Sequence, residues 1–232
     1  MILPEYNALF IHIPKAAGQS IENFLLESLN KDRRVDGSKY LLRFNDNPEK
    51  GPKRLAHLTA SEYCKHKHLT QKQFEEYFKF TIVRDPLSRV FSFYRYRGFS
   101  SLLDFDVFVN QYLPKYFEEE YWFFRPQTDF IYDENEKLLV DYIGKLETID
   151  SDFSIIAKKL GIDFNVLPCD NTSIEKGFIS RKSLHLLKKH PRLLLQTLSK
   201  PAKKPTDNLS ITSKSLRLIH KLYERDFDLL PY

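Results

Sequence analysis

Hydrophobic and polar positions alternate between two periods along this chain, and the change of period marks its elements. Residues 8–13, Ala-Leu-Phe-Ile-His-Ile, form a nearly continuous apolar run. Such a run fits a short strand buried on both faces, as strands of parallel sheets are. After the loop Pro14-Lys15-Ala16-Ala17-Gly18-Gln19-Ser20, the apolar positions Ile21, Phe24, Leu25 and Leu29 recur at helical spacing. Ser20 has the residue type of a helix N-cap there. The stretch 30–52 is polar and holds Gly37, Pro48, Gly51 and Pro52, so it reads as irregular. Lys53–Ala60 is a weaker strand candidate, and Leu69–Phe78 has a helical pattern. Phe78–Arg84 is a strong strand, closed by Asp85-Pro86. Leu87–Arg97 continues as a helix with Pro86 near its first position. Two strand–loop–helix units of this kind predict an α/β fold with a parallel sheet.

The second half is more helical. Residues 102–124 are aromatic and helical in pattern, and Lys137–Glu147 gives one more strand candidate. Ser151–Ile162 predicts a helix stopped at Gly161. Residues 163–180 read as irregular, 181–198 as a basic helical stretch broken by Pro191, and 199–208 as a basic loop. A last helix carries Leu216, Ile219, Leu222, Tyr223 and Phe227 on one side. No internal repeat or low-complexity linker interrupts the 232 residues, so the reading is a single domain over 1–232.

Composition changes this picture little: 42% hydrophobic and 29% charged residues are those of a globular protein, not a disordered or fibrous one. Charge adds more. The chain through Asp170 has 23 basic and 26 acidic residues, whereas the remaining 62 residues have 13 and 5. A basic C-terminal stretch suggests an anionic partner without naming it. No nucleic-acid reader motif accompanies it, so DNA and RNA are set aside. Two cysteines, Cys64 and Cys169, fit free thiols in a reducing compartment. The N-terminal stretch lacks a basic region, and no run approaches the ~18 apolar residues of a spanning helix. The expectation is a cytoplasmic protein with no membrane span.

Two segments carry the candidate chemistry. In the first, a strand delivers Lys15, Ala16, Ala17, Gly18, Gln19 and Ser20 to a helix N-terminus. Small residues let an anion reach backbone N–H groups, and the helix end, the Ser20 hydroxyl and the Lys15 ammonium favour negative charge. The order differs from a Walker A loop, where the lysine follows the glycines. In the second segment, Arg84 stands at the C-terminal end of a predicted parallel strand, where open α/β sheets bind ligands. Ser92, eight residues on, is positioned to share a phosphate with Arg84. The plainer readings are an ordinary βα turn, an ion pair for Arg84 and a helix-packing serine. Arg89 reads as structural or solvated, and His12 as packed in the core.

Phe10–Ser20 resembles the 5′-phosphosulfate loop of sulfotransferases, and Thr81–Arg95 resembles their 3′-phosphate motif. The likeness is to the carbohydrate sulfotransferase branch and extends to Arg125–Ile162 and to the C-terminal Ile219–Tyr232. The resemblance implies a P-loop-kinase-like three-layer α/β fold, with a central parallel sheet flanked by helices. It implies transfer of a sulfuryl group from 3′-phosphoadenosine 5′-phosphosulfate (PAPS) to a carbohydrate or glycolipid hydroxyl, without a metal. Lys15, Ala16, Ala17, Gly18, Gln19 and Ser20 would surround the 5′-phosphosulfate, and Arg84 and Ser92 would take the 3′-phosphate. Lys15 would also stabilise the leaving group. Gln19 replaces the family's usual Thr or Ser, which keeps open a non-catalytic binder of nucleotide or polyanion. Ala17 replaces a common Gly, which suggests that φ is not positive there.

The acceptor hydroxyl needs a base. His57, at the end of the second candidate strand, has the right chemistry, with Glu62 as runner-up and a loop-capping histidine as the plainer reading. His66 and His68, near Cys64, read as a solvated helix face rather than a metal cluster. Arg125 and Gln127 either reach an acceptor or support the fold, and Glu147 has no role that the sequence reveals. Lys200, Lys203 and Lys204 either close over a ligand or are solvated. Tyr112, Tyr116, Tyr121, Trp122 and Phe123 either stack on sugars or form core.

Overall fold

The computed structural model describes residues 1–167, 181–189, 193 and 211–232. The basic loop with Lys200, Lys203 and Lys204, and Cys169, lie outside the described residues. The chain forms two compact units: Met1–Asp85 with Arg125–Asp170 and Asp228–Tyr232, and Pro86–Phe124 with Asn171–Phe227.

The first unit is built on a four-stranded sheet in the order β1 (Ile2–Leu3), β2 (Ala8–Ile11), β3 (Phe78–Val83), β4 (Tyr142–Lys145). β2, β3 and β4 are parallel, with Phe10 opposite Phe80 and Ile82 opposite Gly144. β1 turns back antiparallel onto β2, so the sheet is mixed at that edge. Side chains alternate between faces with the period of two that a strand imposes. Ala8, Phe10, Phe80 and Ile82 face a core shared with Ile21, Leu25 and Leu26 of helix α1 (Gly18–Ser28) and Phe153, Ile156 and Leu160 of the helix Ile149–Leu160. Leu9, Ile11 and Val83 face the opposite core, which holds Leu55, Leu58, Tyr63, Phe74, Phe130 and Ile131. Helices therefore flank both faces. Gly161 ends its helix in the left-handed region at φ 70°, as expected.

One strand expectation is corrected. Lys53–Ala60 does not join the sheet: Leu55–His57 is a single 3₁₀ turn, followed by the helix Ala60–Lys65. Thr59 and Glu62 form a reciprocal capping box that starts the helix there, and this local hydrogen bonding outweighs a mild strand pattern.

The second unit is helical among its described residues. The helix Pro86–Arg97 opens on proline, as read from the sequence. Its core is aromatic, with Phe93, Phe99, Phe108, Tyr116, Phe123, Phe124 and Tyr223 buried. Tyr116 and Phe123 thus serve packing, whereas Tyr121 is exposed. Arg89 is fully buried, its guanidinium 4.9 Å from the Phe93 ring centre, which confirms the structural reading over the solvated one. The terminal helix expected as one piece is two, Ser213–Leu222 and Glu224–Leu229.

Candidate functional site

β2 and β3 end side by side, and the Thr81 hydroxyl donates to the Ile11 carbonyl at 2.8 Å to tie those ends together. The loop leaving β2 then takes an unusual path. Lys15 and Ala17 both have positive φ, 69° and 59°. A side-chain-bearing residue in that region costs roughly 1–2 kcal/mol. The expectation that Ala17 avoids positive φ is therefore corrected. Ala17 itself precedes α1 as its N-cap, so Ser20 lies inside the first turn and is not the cap. Left-handed residues alternating with ordinary ones turn successive N–H groups toward one concavity, the geometry of an anion nest. The loop leads into the first turn of an eleven-residue helix with no acidic residue there. Its N–H groups carry partial positive charge and have no intrahelical acceptors. Ala16 and Gly18 are buried, Lys15, Ala17 and Ser20 half-buried, and Gln19 exposed.

Beneath this loop lies a buried charge chain that the sequence reading missed. A Cβ on Gly18 would come within 2.0 Å of His12 Cδ2 and 2.1 Å of its Nε2, so only glycine leaves room for the His12 ring. His12 Nδ1 lies 2.6 Å from Glu22 Oε1, and Arg33 Nη2 donates to Glu22 Oε2 at 2.7 Å. Glu22 is fully buried. Burial alone would raise its carboxyl, but His12 and Arg33 outweigh it and hold the group at about 2. The expectation of His12 as packed interior holds for burial, at 8% exposure, yet its ring is polar-bonded rather than merely packed. A signal for Glu22 was present. It sits on the same α1 stripe as Gly18, Ile21, Leu25 and Leu26, and a carboxylate on a buried stripe requires partners.

His57 joins this group from its 3₁₀ turn. Its ring stands edge-on to His12 at 4.4 Å between centres, and its Nδ1 is 3.2 Å from the His12 carbonyl oxygen. A carbonyl only accepts, so Nδ1 carries the hydrogen and Nε2 keeps the lone pair. Burial, reinforced by His12, pushes the His57 ring down to about 3, so it is neutral near pH 7. Glu62, the alternative base, accepts from the Thr59 N–H at 2.8 Å in the capping box.

At the end of β3, the Arg84 backbone is clasped from both sides by Gln127, which is fully buried. The Arg84 N–H donates to Gln127 Oε1 at 2.9 Å, and Gln127 Nε2 donates to the Arg84 carbonyl at 2.8 Å and to the Tyr232 hydroxyl at 2.6 Å. The next residue is fixed too: the Asp85 N–H donates to Glu147 Oε1 at 3.0 Å. Gln127 and Glu147 thus acquire roles as supports of the Arg84 loop. Arg84 Nη1 reaches the Lys15 carbonyl at 3.5 Å, so the two candidate loops meet within the first unit. Ser92 belongs to the second unit, half-buried on the helix Pro86–Arg97.

His66 Nδ1 and His68 Nε2 bond to the carbonyls of Glu49 and Lys50 and brace that turn. Among the described residues no group of acidic, histidine or cysteine side chains is arranged to hold a metal, and no helix is long and apolar enough to cross a membrane.

Compared with known proteins, residues 1–232 match the family model described as the sulfotransferase family. No curated protein and no solved structure matches the chain.

Proposed function

The chain belongs to the sulfotransferase family, and from that membership we propose that it moves a sulfuryl group from PAPS to a hydroxyl of a carbohydrate or glycoconjugate. The observation that supports this reading most is the meeting of the Lys15 and Arg84 loops at the ends of adjacent parallel strands. That edge is where α/β sheets bind nucleotides. The family match over 1–232 supports treating both units as parts of one sulfotransferase-like, P-loop-like domain.

Sulfuryl transfer, like phosphoryl transfer, asks the protein for alignment and charge stabilisation more than for covalent chemistry. In this reading the Lys15–Ser20 loop holds the 5′-phosphosulfate, with Ala17, Gly18 and Gln19 giving backbone N–H groups, Ser20 its hydroxyl, and Ala16, whose N–H donates to the Ile13 carbonyl, keeping the turn tight. The Lys15 ammonium stabilises charge growing on the bridging oxygen. Arg84 takes the 3′-phosphate as a fork. His57 Nε2 accepts the acceptor's hydroxyl proton, the anionic donor beside the ring raising its basicity above the low value of about 3 that the ring has on its own. The acceptor oxygen bonds to sulfur as the bond from sulfur to the bridging oxygen breaks. The products are a sulfate ester, adenosine 3′,5′-bisphosphate and protonated His57. No step in this scheme calls for a metal. Two cysteines in 232 residues support a cytoplasmic, reducing setting.

The test pairs calorimetry with an acceptor panel. Adenosine 3′,5′-bisphosphate is expected to bind the wild-type chain and to bind Arg84→Ala at least about tenfold more weakly, the worth of a charge-assisted phosphate contact. Labelled sulfate is expected to reach a glycan acceptor. Binding without transfer to any hydroxyl acceptor would instead establish the non-catalytic binder that Gln19 leaves open, and equal binding by Arg84→Ala would refute the Arg84 assignment.

A further inference from the structure

The Arg33–Glu22–His12 chain lies outside every role assigned above, yet it touches two parts of the proposed machinery. The His12 ring fills the space beside Gly18, and its Cδ2–Nε2 edge faces that glycine at the start of α1. The ring also stacks on Phe10, 5.8 Å between centres, and meets His57 edge-on. The His12 carbonyl is the acceptor that fixes the His57 tautomer. One residue thus carries the orientation of the base and the seat of the loop, and what holds it is Glu22. A fully buried carboxylate carries a large desolvation penalty unless its partners are in place. Here one oxygen takes His12 and the other Arg33, so displacing the His12 ring would leave a buried charge half-satisfied. Glu22 therefore has a geometric hold on His12 that packing alone would not give.

We propose that Glu22, anchored by Arg33, is a positioning residue for sulfuryl transfer: it locks His12 so that the His57 ring presents Nε2 as its basic nitrogen and the loop stays seated at Gly18. The proposal rests on the reading of His57 as base, and its test separates the two.

Imidazole nitrogen resonances of the full chain report tautomer directly, with His57→Ala used to assign them. In the wild type, His57 is expected to be a single neutral form with hydrogen on Nδ1. In Glu22→Gln, which keeps the shape and an acceptor oxygen but removes the charge, His57 is expected to show mixed tautomers. The same variant should lose about tenfold or more in kcat, part of the roughly 10²–10⁴-fold that a positioned base supplies, while KM for PAPS rises by a smaller factor as the loop at Gly18 loosens. A purely structural role would not couple the tautomer to kcat in this way. Unchanged tautomer and kcat in Glu22→Gln, or a wild-type His57 with hydrogen on Nε2, would overturn the proposal. Should Glu22→Gln fail to fold, Arg33→Gln carries the test, since Arg33 is partly exposed. It should shift the tautomer and lower kcat about threefold or more, consistent with loss of one partly exposed charged hydrogen bond. Unchanged values there overturn the proposal equally. Full kcat in His57→Ala, with the tautomer behaving as expected, would refute His57 as base while leaving the Glu22–His12–His57 coupling established.

Discussion

Replacing Gly18 by alanine adds one methyl group at a place where the structure has no room for it. The new Cβ would lie 2.0 Å from His12 Cδ2, 2.1 Å from Nε2 and 2.6 Å from Cγ, and three contacts to one ring leave no small torsion that relieves all of them. The ring must move, and three things resist: the 2.6 Å contact with Glu22, the stack on Phe10 and the edge contact with His57. Overpacking a buried site costs about 1–3 kcal/mol. Weakening a buried hydrogen bond to a charged group adds about 1.5–3 kcal/mol. Alanine's better helix propensity returns about 1 kcal/mol, because Gly18 begins α1. The net expectation is a destabilisation of roughly 1.5–5 kcal/mol, a large share of the ~5–15 kcal/mol that holds a typical protein together. Urea unfolding of wild type, Gly18→Ala, His12→Ala and the double variant measures it as a cycle. If the ring is the obstacle, Gly18→Ala should cost far less in the His12→Ala background, with a coupling of at least about 1 kcal/mol. Equal costs in both backgrounds, or a Gly18→Ala protein within about 0.5 kcal/mol of wild type, would refute the argument.

Three more expectations follow from the site. Gln127→Leu leaves the Arg84 N–H and carbonyl without their buried partner, so it should destabilise by about 1–3 kcal/mol and raise KM for PAPS more than it lowers kcat; a fall in kcat alone would place Gln127 elsewhere in the mechanism. Ala17→Gly relieves a side chain held at φ 59°, so thermal unfolding should move up by the equivalent of about 0.5–1 kcal/mol; a loss of stability would contradict that backbone. The third concerns pH. His57 titrates at about 3 when folded, held down by burial and then by His12, with Arg54 acting in the same direction and Glu22 against it. Its unfolded value is near 6.5. The unfolded chain binds the proton first as pH falls, so the His57 contribution is complete above pH ~6.5 and is lost as pH falls toward ~3. His57→Asn should therefore flatten stability against pH by up to about 1.4 kcal/mol per unit near pH 5, and an unaltered slope in denaturant titrations would refute the burial of that ring.

Much of this was legible in the sequence because local signals were strong. The apolar runs that begin at Ala8 and Phe78, the proline opening the helix after β3 and the glycine closing the helix at Gly161 each act through their own backbone, and each stands where the pattern puts it, although the first strand stops at Ile11, two residues short of the end of the apolar run. The loop residues Lys15 to Gly18 were recognisable for the same reason. Ala17 was misread because residue type reports the cost of a left-handed backbone, not whether the surrounding fold imposes it. His57 was picked for its chemistry but placed on a strand, since the Thr59–Glu62 capping box competes with the strand pattern only once the helix after it is allowed. The supports are of another kind. Gln127 meets Arg84 across 43 residues, and Glu147 meets Asp85 across 62. Nothing local in either residue announces such a partner. Glu22 is the intermediate case: its place on the buried stripe of α1 was a signal that the sequence reading passed over, and only the fold shows that His12 and Arg33 complete it.

The central claim is that Lys15, at the turn after β2, stabilises the departing 5′-phosphate during sulfuryl transfer. Its most direct test is the rate at which the purified chain releases adenosine 3′,5′-bisphosphate from PAPS in the presence of a glycan acceptor, compared with Lys15→Ala at saturating donor. The expected result is acceptor-dependent release that falls at least about 10²-fold in Lys15→Ala, the scale of losing one preorganised charge-stabilising group. Full turnover by Lys15→Ala would contradict the account.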